Sequence, residues 1–218
     1  MTILIAAATD LEMQAFGADR DAVAYVLRLI TGIGPMETAL SLTSMLHQYS
    51  GQISAVVNFG IAGAYPDSPA QLLDICIAKQ EILGDLGICL PERIERFAER
   101  GLAVRDSFIL DDRLRKAAAQ ALRHIGITFL QGNFVTVSSS SGTTERAQQI
   151  GRQYQGLCEN MEGAAVAMVC EAFHLPCVEL RCISNRAGER DRKNWRLREA
   201  CLRTGQTAAA VTEFLLTD

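Results

Sequence analysis

Residues 2–8 form a continuous apolar run that is followed at once by the start of a helix. A run without polar alternation is typical of a strand that is buried on both faces, as in parallel sheets covered by helices. Thr9 and Glu12 then stand at the spacing of a helix capping box. Because this succession of strand and helix recurs along the chain, we predict a largely parallel or mixed sheet with helices on both faces.

The other elements follow the same alternation. Residues 32–49 read as a turn and then a helix, and no linker-like stretch divides the 218 residues, so residues 1–218 are predicted to form a single domain. Further strands are predicted at 22–30, 53–64, 72–82, 127–137 and 177–184, and further helices at 112–124, 143–152, 161–174 and 195–215.

Charge and cysteine usage indicate the kind of partner and the compartment. The formal net charge is -4, which gives no electrostatic footprint for nucleic acid or an anionic membrane, so a small molecule is the expected partner. The N-terminal apolar run is too short to span a membrane and lacks a basic flank. Seven cysteines without a CxxC pair predict reduced thiols and a cytoplasmic protein.

Chemically active side chains follow several of the predicted strands. Glu12 follows the first, the small-residue segment 58–64 ends the third, a serine run lies at 137–144, and residues 184–192 follow the last. In open sheets of this kind the ligand site lies at the carboxyl ends of the strands. Glu12 has two readings, a residue that caps the helix start or a general base, and the two are compatible.

Other motifs stay open at this stage. The glycines of residues 32–34 lack the rest of a dinucleotide fingerprint, so they predict either a tight turn into a helix or a loop near an anion or ribose. Glu159 and Glu162, three residues apart, are consistent with acids in the first turn of a helix. Cys170 and His174 share a helix face with too few partners for a zinc site, so no metal is predicted.

Four landmarks, taken in order, resemble those of the nucleoside phosphorylase/nucleosidase superfamily, particularly its hydrolytic members. They are the strand into Glu12 and the segments "NFGIAGA" (58–64), "ENMEGAAVA" (159–167) and "RCISNRA" (181–187). The resemblance covers nearly the whole chain. It implies a three-layer α/β/α sandwich with a central mixed, largely parallel sheet, cleavage of an N-glycosidic bond, no cofactor, and a homodimer or higher homo-oligomer.

The resemblance also implies roles for individual residues. Glu12 would help to activate a water that Arg181 helps to hold, and Glu162 would accept hydrogen bonds from ribose hydroxyls. Met161 would pack near the nucleoside and Asn185 would face the purine.

The segment 58–64 would contribute backbone groups, with Ala62 and Gly63 closest to the ligand. Two positions depart from the methylthioadenosine-type nucleosidases, which usually have serine at Ile61 and an acid at Asn160. The water and ribose contacts are therefore expected to differ in detail.

Asn185 stands where those nucleosidases have aspartate, and its chemistry favours a 6-oxopurine. The amide NH2 can donate to O6 while its carbonyl accepts the proton that forms on N7, whereas an aspartate suits adenine. The combination of Asn185 with the segment "RDRKNW" (190–195) resembles the pattern of the futalosine hydrolases within the superfamily. Asp191 is a candidate source of the N7 proton, because an amide is a poor proton donor.

Residues 190–195 also suggest how the 5' side of the substrate is selected. Futalosine resembles inosine with an aromatic carboxylate on its 5' side, so Arg190, Arg192 or Trp195 is expected to bind that carboxylate or stack on its ring. The alternatives are a purine nucleoside phosphorylase, a methylthioadenosine/S-adenosylhomocysteine nucleosidase, and a nucleoside-binding protein without catalysis.

Overall fold

The computed structural model describes residues 2–17 and 25–217. Its centre is an eight-stranded sheet, and a separate two-stranded hairpin lies beside it. The strands are β1 (Thr2–Ala7), β2 (Val26–Ile30), β3 (Ile53–Ala64), β4 (Ile75–Leu83), β5 (Gly87–Cys89), β6 (Ile94–Arg96), β7 (Ser107–Ile109), β8 (Phe129–Thr136), β9 (Gly156–Asn160) and β10 (Cys177–Arg186). The α-helices are α1 (Asp10–Gln14), α2 (Pro35–Gln48), α3 (Asp112–His124), α4 (Thr144–Tyr154), α5 (Gly163–Ala172) and α6 (Leu197–Thr217).

The sheet is mixed, and most of its pairs are parallel. The strand order is β10-β4-β8-β9-β3-β1-β2, with β7 paired to β4. The β10–β4, β3–β9 and β4–β7 pairs are antiparallel. An additional parallel pairing of β10 with β3 joins the two ends of part of this order, so that β3, β10, β4, β8 and β9 form a closed ring of strands. The strand β3 therefore pairs with three strands, β1, β9 and β10.

Both faces of the sheet are covered. In β1, Ile3 and Ile5 pack into one apolar cluster with residues of α3 and α6, while Leu4 packs into a second cluster with residues of α2 and α5. This is why the first strand is apolar at every position from Ile3 to Ala7. The predicted α/β/α architecture is confirmed.

The predicted helices and strands have observed counterparts, with shifts of up to about three residues at several ends. The part of the predicted strand 22–30 that precedes residue 25 lies outside the described residues. The sequence reading did not predict β9, the hairpin of β5 and β6, or β7. It was also wrong about Glu159, which lies in β9 rather than in the first turn of a helix, because α5 begins at Gly163 with Glu162 as its N-cap residue.

Among the helices of the described part of the chain, none combines the length and apolar character needed to cross a membrane.

Candidate active site

A cavity of about 430 Å³ lies at the carboxyl ends of β1, β3, β9 and β10. This volume falls in the range of sites that enclose a small molecule. The cavity brings together eight of the ten predicted site residues, namely Glu12, Ala62, Gly63, Met161, Glu162, Arg181, Asn185 and Trp195. Asp191 and Arg192 are not among the residues that line it.

Glu12 is held in place by the backbone on both sides of its carboxylate. Its Oε2 accepts hydrogen bonds from the N–H (3.0 Å) and hydroxyl (2.7 Å) of Thr9, which complete the capping box of α1. Its Oε1 accepts the N–H of Ile61 at 3.0 Å. Glu12 is only 4% exposed and lines the cavity, so the capping geometry fixes a carboxylate that also faces the site.

Arg181 lies beside Glu12 over a bare stretch of β3. Gly60 is the register partner of Arg181, and a Cβ atom at Gly60 would lie 2.6 Å from both Arg181 Nη1 and Glu12 Oε1. A glycine is therefore required here for the guanidinium and the carboxylate to approach the strand together. Arg181 Nη1 also donates to the carbonyl of Ile61 at 3.2 Å.

The charge of Arg181 is balanced by buried carboxylates. Its Nε donates to Glu179 Oε1 at 2.8 Å, and its Nη2 lies 3.4 Å from Glu162 Oε2. Burial alone would lower the pKa of Arg181, but Glu179, Glu162 and Glu12 together raise it above the ordinary value. Arg181 is therefore a permanent cation at this end of the cavity.

Glu162 is the second carboxylate at this end. Its Oε1 accepts the N–H of Gly34 at 3.2 Å. The glycine turn before α2 therefore donates to the carboxylate of a protein side chain. Burial raises the pKa of Glu162, and Arg181 opposes that shift. The neighbouring Met161 lines the cavity, with its sulfur 3.4 Å from the Ser140 hydroxyl.

A fully buried polar network supports this end of the site from below. Asn160 Oδ1 accepts the N–H groups of Glu162 (3.0 Å) and Gly163 (2.8 Å), and its Nδ2 donates to Glu81 at 2.6 Å. Asn160 thus caps the start of α5. The sequence analysis noted that Asn160 replaces an acid, but it did not predict this capping role. Glu81 also accepts the Thr136 hydroxyl at 2.7 Å. Burial and the adjacent Glu179 carboxylate raise the pKa of Glu81 well above its ordinary value.

Asn185 lies at the other end of the cavity, next to Gly63. A Cβ atom at Gly63 would be 3.3 Å from Asn185 Nδ2, so the amide lies over the bare backbone of β3. Its Oδ1 accepts the Ser184 hydroxyl at 2.8 Å and its Nδ2 donates to the carbonyl of Arg186 at 2.9 Å. Each of these atoms can make one more hydrogen bond toward the cavity.

Arg190 and Trp195 form a wall of the cavity in the segment between β10 and α6. The guanidinium of Arg190 lies over the indole ring at 5.3 Å, and the indole N–H donates to the carbonyl of Glu189 at 3.1 Å. Asp191 and Arg192 are both exposed, and Asp191 instead caps the short 3₁₀ helix Arg192–Asn194 by accepting the Lys193 N–H. The predicted roles of these two residues have no support in this geometry.

The sequence reading missed Glu159 as a cavity residue. Glu159 is 7% exposed and lines the cavity next to Ser141, whose N–H (2.8 Å) and hydroxyl (2.5 Å) donate to its two carboxylate oxygens. Burial raises the pKa of Glu159, and the two Ser141 donors oppose the shift. The serine run was noted as a loop at a strand end, but nothing in the sequence pairs it with Glu159. Across residues 2–17 and 25–217, no three potential metal ligands come together.

The site is thus a cavity on an α/β sheet, with a fixed, buried carboxylate and a buried arginine at one end and an amide at the other. This arrangement defines an enzyme that binds a small polar molecule between two chemically different ends.

Comparisons with known proteins give the family. Residues 22–217 match the model of the phosphorylase superfamily, and the chain belongs to that superfamily. The futalosine hydrolase of Thermus thermophilus is 34% identical over 177 residues, which are 79% of this chain and 74% of that protein.

Solved structures show the same fold. A mutant of futalosine hydrolase from Helicobacter pylori is 20% identical and superposes with a TM-score of 0.81 over 98% of this chain and 99% of that chain. A mutant of the 5'-methylthioadenosine/S-adenosylhomocysteine nucleosidase (MTAN) from the same organism, with 5'-methylthioadenosine in its active site, is 19% identical. It superposes with a TM-score of 0.81 over 100% of this chain and 99% of that chain. The predicted superfamily and the predicted enzyme class, an N-glycosyl hydrolase, are confirmed.

Proposed function

We propose that this chain hydrolyses the N-glycosidic bond of futalosine, which releases hypoxanthine and dehypoxanthine futalosine in menaquinone biosynthesis. The observation that carries the proposal is the position of Asn185 over Gly63, at the opposite end of the cavity from Glu12 and Arg181. The relative from Thermus thermophilus, which bears the name of this activity, supports the same substrate.

At the sugar end, Glu12 would accept a proton from the attacking water while Arg181 helps to hold that water. The water oxygen forms a bond to the anomeric carbon, the bond to the purine nitrogen breaks, and its electron pair moves into the purine. Because the sugar gains oxocarbenium character, the neighbouring Glu162 carboxylate would stabilise it. Glu162, fixed by the Gly34 N–H, would accept hydrogen bonds from the ribose hydroxyls.

At the purine end, Asn185 would donate from Nδ2 to O6 and accept at Oδ1 the proton that forms on N7. The Ser184 hydroxyl, 2.8 Å from Oδ1, supports this orientation of the amide. The leaving purine takes up one proton overall. Because Asp191 does not line the cavity, the proposed source of this proton is a water at the mouth of the cavity. General acid-base assistance of this kind contributes about 100- to 10,000-fold in rate.

At the 5' end, Arg190 and Trp195 would bind the aromatic carboxylate of futalosine. The chain offers a matched control, because Arg192 is an exposed arginine two residues away that does not line the cavity. We expect Arg190→Ala to raise KM for futalosine far more than KM for inosine, and Arg192→Ala to change neither. Equal effects of Arg190→Ala on the two substrates would contradict this assignment.

A phosphorylase is the main alternative, and the backbone donors near the cavity argue against it. The Gly34 N–H is bonded to Glu162, and the Ser141 N–H is bonded to Glu159. Ser138 and Ser139 donate their N–H groups to Asp85 at 2.8 and 3.4 Å. Because protein carboxylates occupy the donors that a phosphate would need, the site favours water as the nucleophile.

The experiment that tests the proposal is base release from futalosine, inosine and methylthioadenosine by the purified protein, with and without phosphate. Release of hypoxanthine from futalosine at the same rate in both conditions supports it. A requirement for phosphate with inosine would make the protein a phosphorylase, and preferential release of adenine would make it a methylthioadenosine-type nucleosidase.

We also propose that the protein forms a homo-oligomer and is located in the cytoplasm. Ile33, which lines the cavity, is 62% exposed, and Met36 and Leu40 of α2 are 84% and 67% exposed. These exposed apolar side chains support their burial in a homodimer or higher homo-oligomer. Light scattering of the purified protein decides this point. Seven free cysteines, of which six are buried, support a reducing compartment such as the cytoplasm.

A further inference from the structure

Glu159 lines the cavity but has no part in the chemistry proposed above. It lies in β9, it is more than nine-tenths buried, and its two oxygens accept the Ser141 N–H and hydroxyl. A buried carboxylate is costly unless it is hydrogen-bonded, and two donors leave further lone pairs on both oxygens. The carboxylate can therefore accept another hydrogen bond from a group inside the cavity.

The register of the sheet places Glu159 opposite Asn185. Gly63 in β3 is the register partner of Glu159 on one side and of Asn185 on the other. Register partners project from the same face of a sheet, and adjacent strands are about 4.8 Å apart, so the two Cα atoms lie about 10 Å apart with a residue lacking a side chain between them. Gly63 therefore adds no side chain of its own to the space between the Asn185 amide and the Glu159 carboxylate.

In a purine, N1 is bonded to C6, so the N1 edge is next to the N7 and O6 edge. A purine that enters this space with its C6 corner toward Gly63, and with N7 and O6 toward Asn185, would turn its N1–H toward β9. We propose that Glu159 is a specificity-determining residue, whose carboxylate accepts the N1–H of a 6-oxopurine. This inference rests on the proposed function for the orientation of the base, and it adds a second point of recognition on the neighbouring edge of the base.

The chemistry of N1 makes this contact selective. In hypoxanthine N1 carries a hydrogen and is a donor, whereas in adenine N1 is an acceptor and would face the Glu159 oxygens without a proton between them. An ionised carboxylate only accepts, so it attracts the first base and repels the second. Asn185 and Glu159 would thus select the same base at two separate edges.

A purely structural role for Glu159, holding the Ser141 loop, predicts a different outcome. In that case the loss of the carboxylate would disturb the cavity for every purine alike. The selectivity between 6-oxo and 6-amino bases, rather than the activity itself, therefore distinguishes the two roles.

The test uses Glu159→Gln and compares kcat/KM for futalosine with kcat/KM for its analogue that bears an amino group at position 6. The glutamine NH2 can donate to an unprotonated N1, so we expect the ratio of the two values to fall about 10- to 100-fold, the range for loss of a hydrogen bond to a charged group. Ser141→Ala, which removes one donor to Glu159 but keeps the carboxylate, should leave most of this ratio intact. An unchanged ratio in Glu159→Gln would overturn the inference.

A measurement on the wild-type protein covers the case in which the variant does not fold. Inhibition by hypoxanthine is compared with inhibition by 1-methylhypoxanthine, which lacks the N1–H. We expect hypoxanthine to bind at least about 10-fold more tightly; equal inhibition by the two bases would refute a role for N1–H. Wild-type protein that binds hypoxanthine selectively but does not hydrolyse futalosine would remove the proposed substrate and leave the Glu159 contact standing.

Discussion

Replacing Glu81 by glutamine should change how the stability of the protein depends on pH. Glu81 is fully buried, and burial together with the Glu179 carboxylate raises its pKa well above the ordinary value of 4.5. In the folded protein it therefore keeps its proton at pH values where the unfolded chain has lost it. A glutamine has the same shape, and its oxygen can accept from Asn160 Nδ2 while its NH2 donates to Glu179. The NH2 can also donate to the Thr136 oxygen, because the Thr136 hydroxyl, which bonds to Glu81 in the wild type, can instead donate to Asn160 Oδ1.

The sign and size of the effect follow from proton linkage. Between pH 4.5 and the folded pKa of Glu81, the native state binds one more proton than the unfolded state, so this group's contribution to stability is lost as pH rises. Its contribution falls by about 1.4 kcal/mol per pH unit, a factor of ten in the folding equilibrium constant. Glu81→Gln removes this term, so the variant should gain about 1.4 kcal/mol relative to wild type for each pH unit over which Glu81 stays protonated only in the folded state.

The assay is urea-induced unfolding at several pH values from 5.5 upward, followed by circular dichroism and by the fluorescence of the single tryptophan, Trp195. The matched control is Glu213→Gln, at an exposed position on α6, which should parallel wild type throughout. A difference between Glu81→Gln and wild type that stays constant throughout this pH range would refute the reasoning, because it would mean that Glu81 is ionised in the folded protein.

Three further predictions concern the site and its support. Glu12→Gln should lower kcat for futalosine about 100- to 10,000-fold, since it removes the proposed base while most of the capping contacts survive; steady-state kinetics with a parallel thermal melt checks this. Gly163→Ala should lower the free energy of unfolding by about 1 to 3 kcal/mol, because its Cβ would clash with the carboxylates of Glu81 and Glu179, whereas Gly142→Ala, in open space, should not; urea titration compares the two. Asn185→Asp should shift the preference from the 6-oxo toward the 6-amino substrate, measured as the ratio of kcat/KM values, and an unchanged ratio would mean that Asn185 does not contact the base.

The architecture and much of the site could be predicted from the sequence because both depend on local patterns. Unbroken apolar runs identify strands buried on both faces, and residues at or just after the carboxyl ends of such strands meet at one edge of the sheet, as Glu12, Gly63 and Asn185 do. The misplacement of Glu159 had a local cause: two acids three residues apart resemble the first turn of a helix, although the first of them ends a short strand.

What the sequence could not give were contacts between distant residues. The closure of β3 on β10, the burial of Glu81 against Glu179 and the pairing of Ser141 with Glu159 join segments that are far apart, and no local periodicity encodes them. Asp191 shows the converse, that closeness in sequence does not ensure closeness in space. It is six residues from Asn185, yet the chain turns it toward solvent to cap a 3₁₀ helix.

The two glycines of β3 divide the cavity into parts that can change independently. Gly60 makes room for Arg181 and Glu12, and Gly63 makes room for Asn185, about 10 Å further along the same strand. Substitutions that alter which base is accepted can therefore accumulate around Gly63 while the bond-breaking groups around Gly60 stay in place. Enzymes with this strand can therefore evolve to release a different base while they keep the same hydrolytic groups.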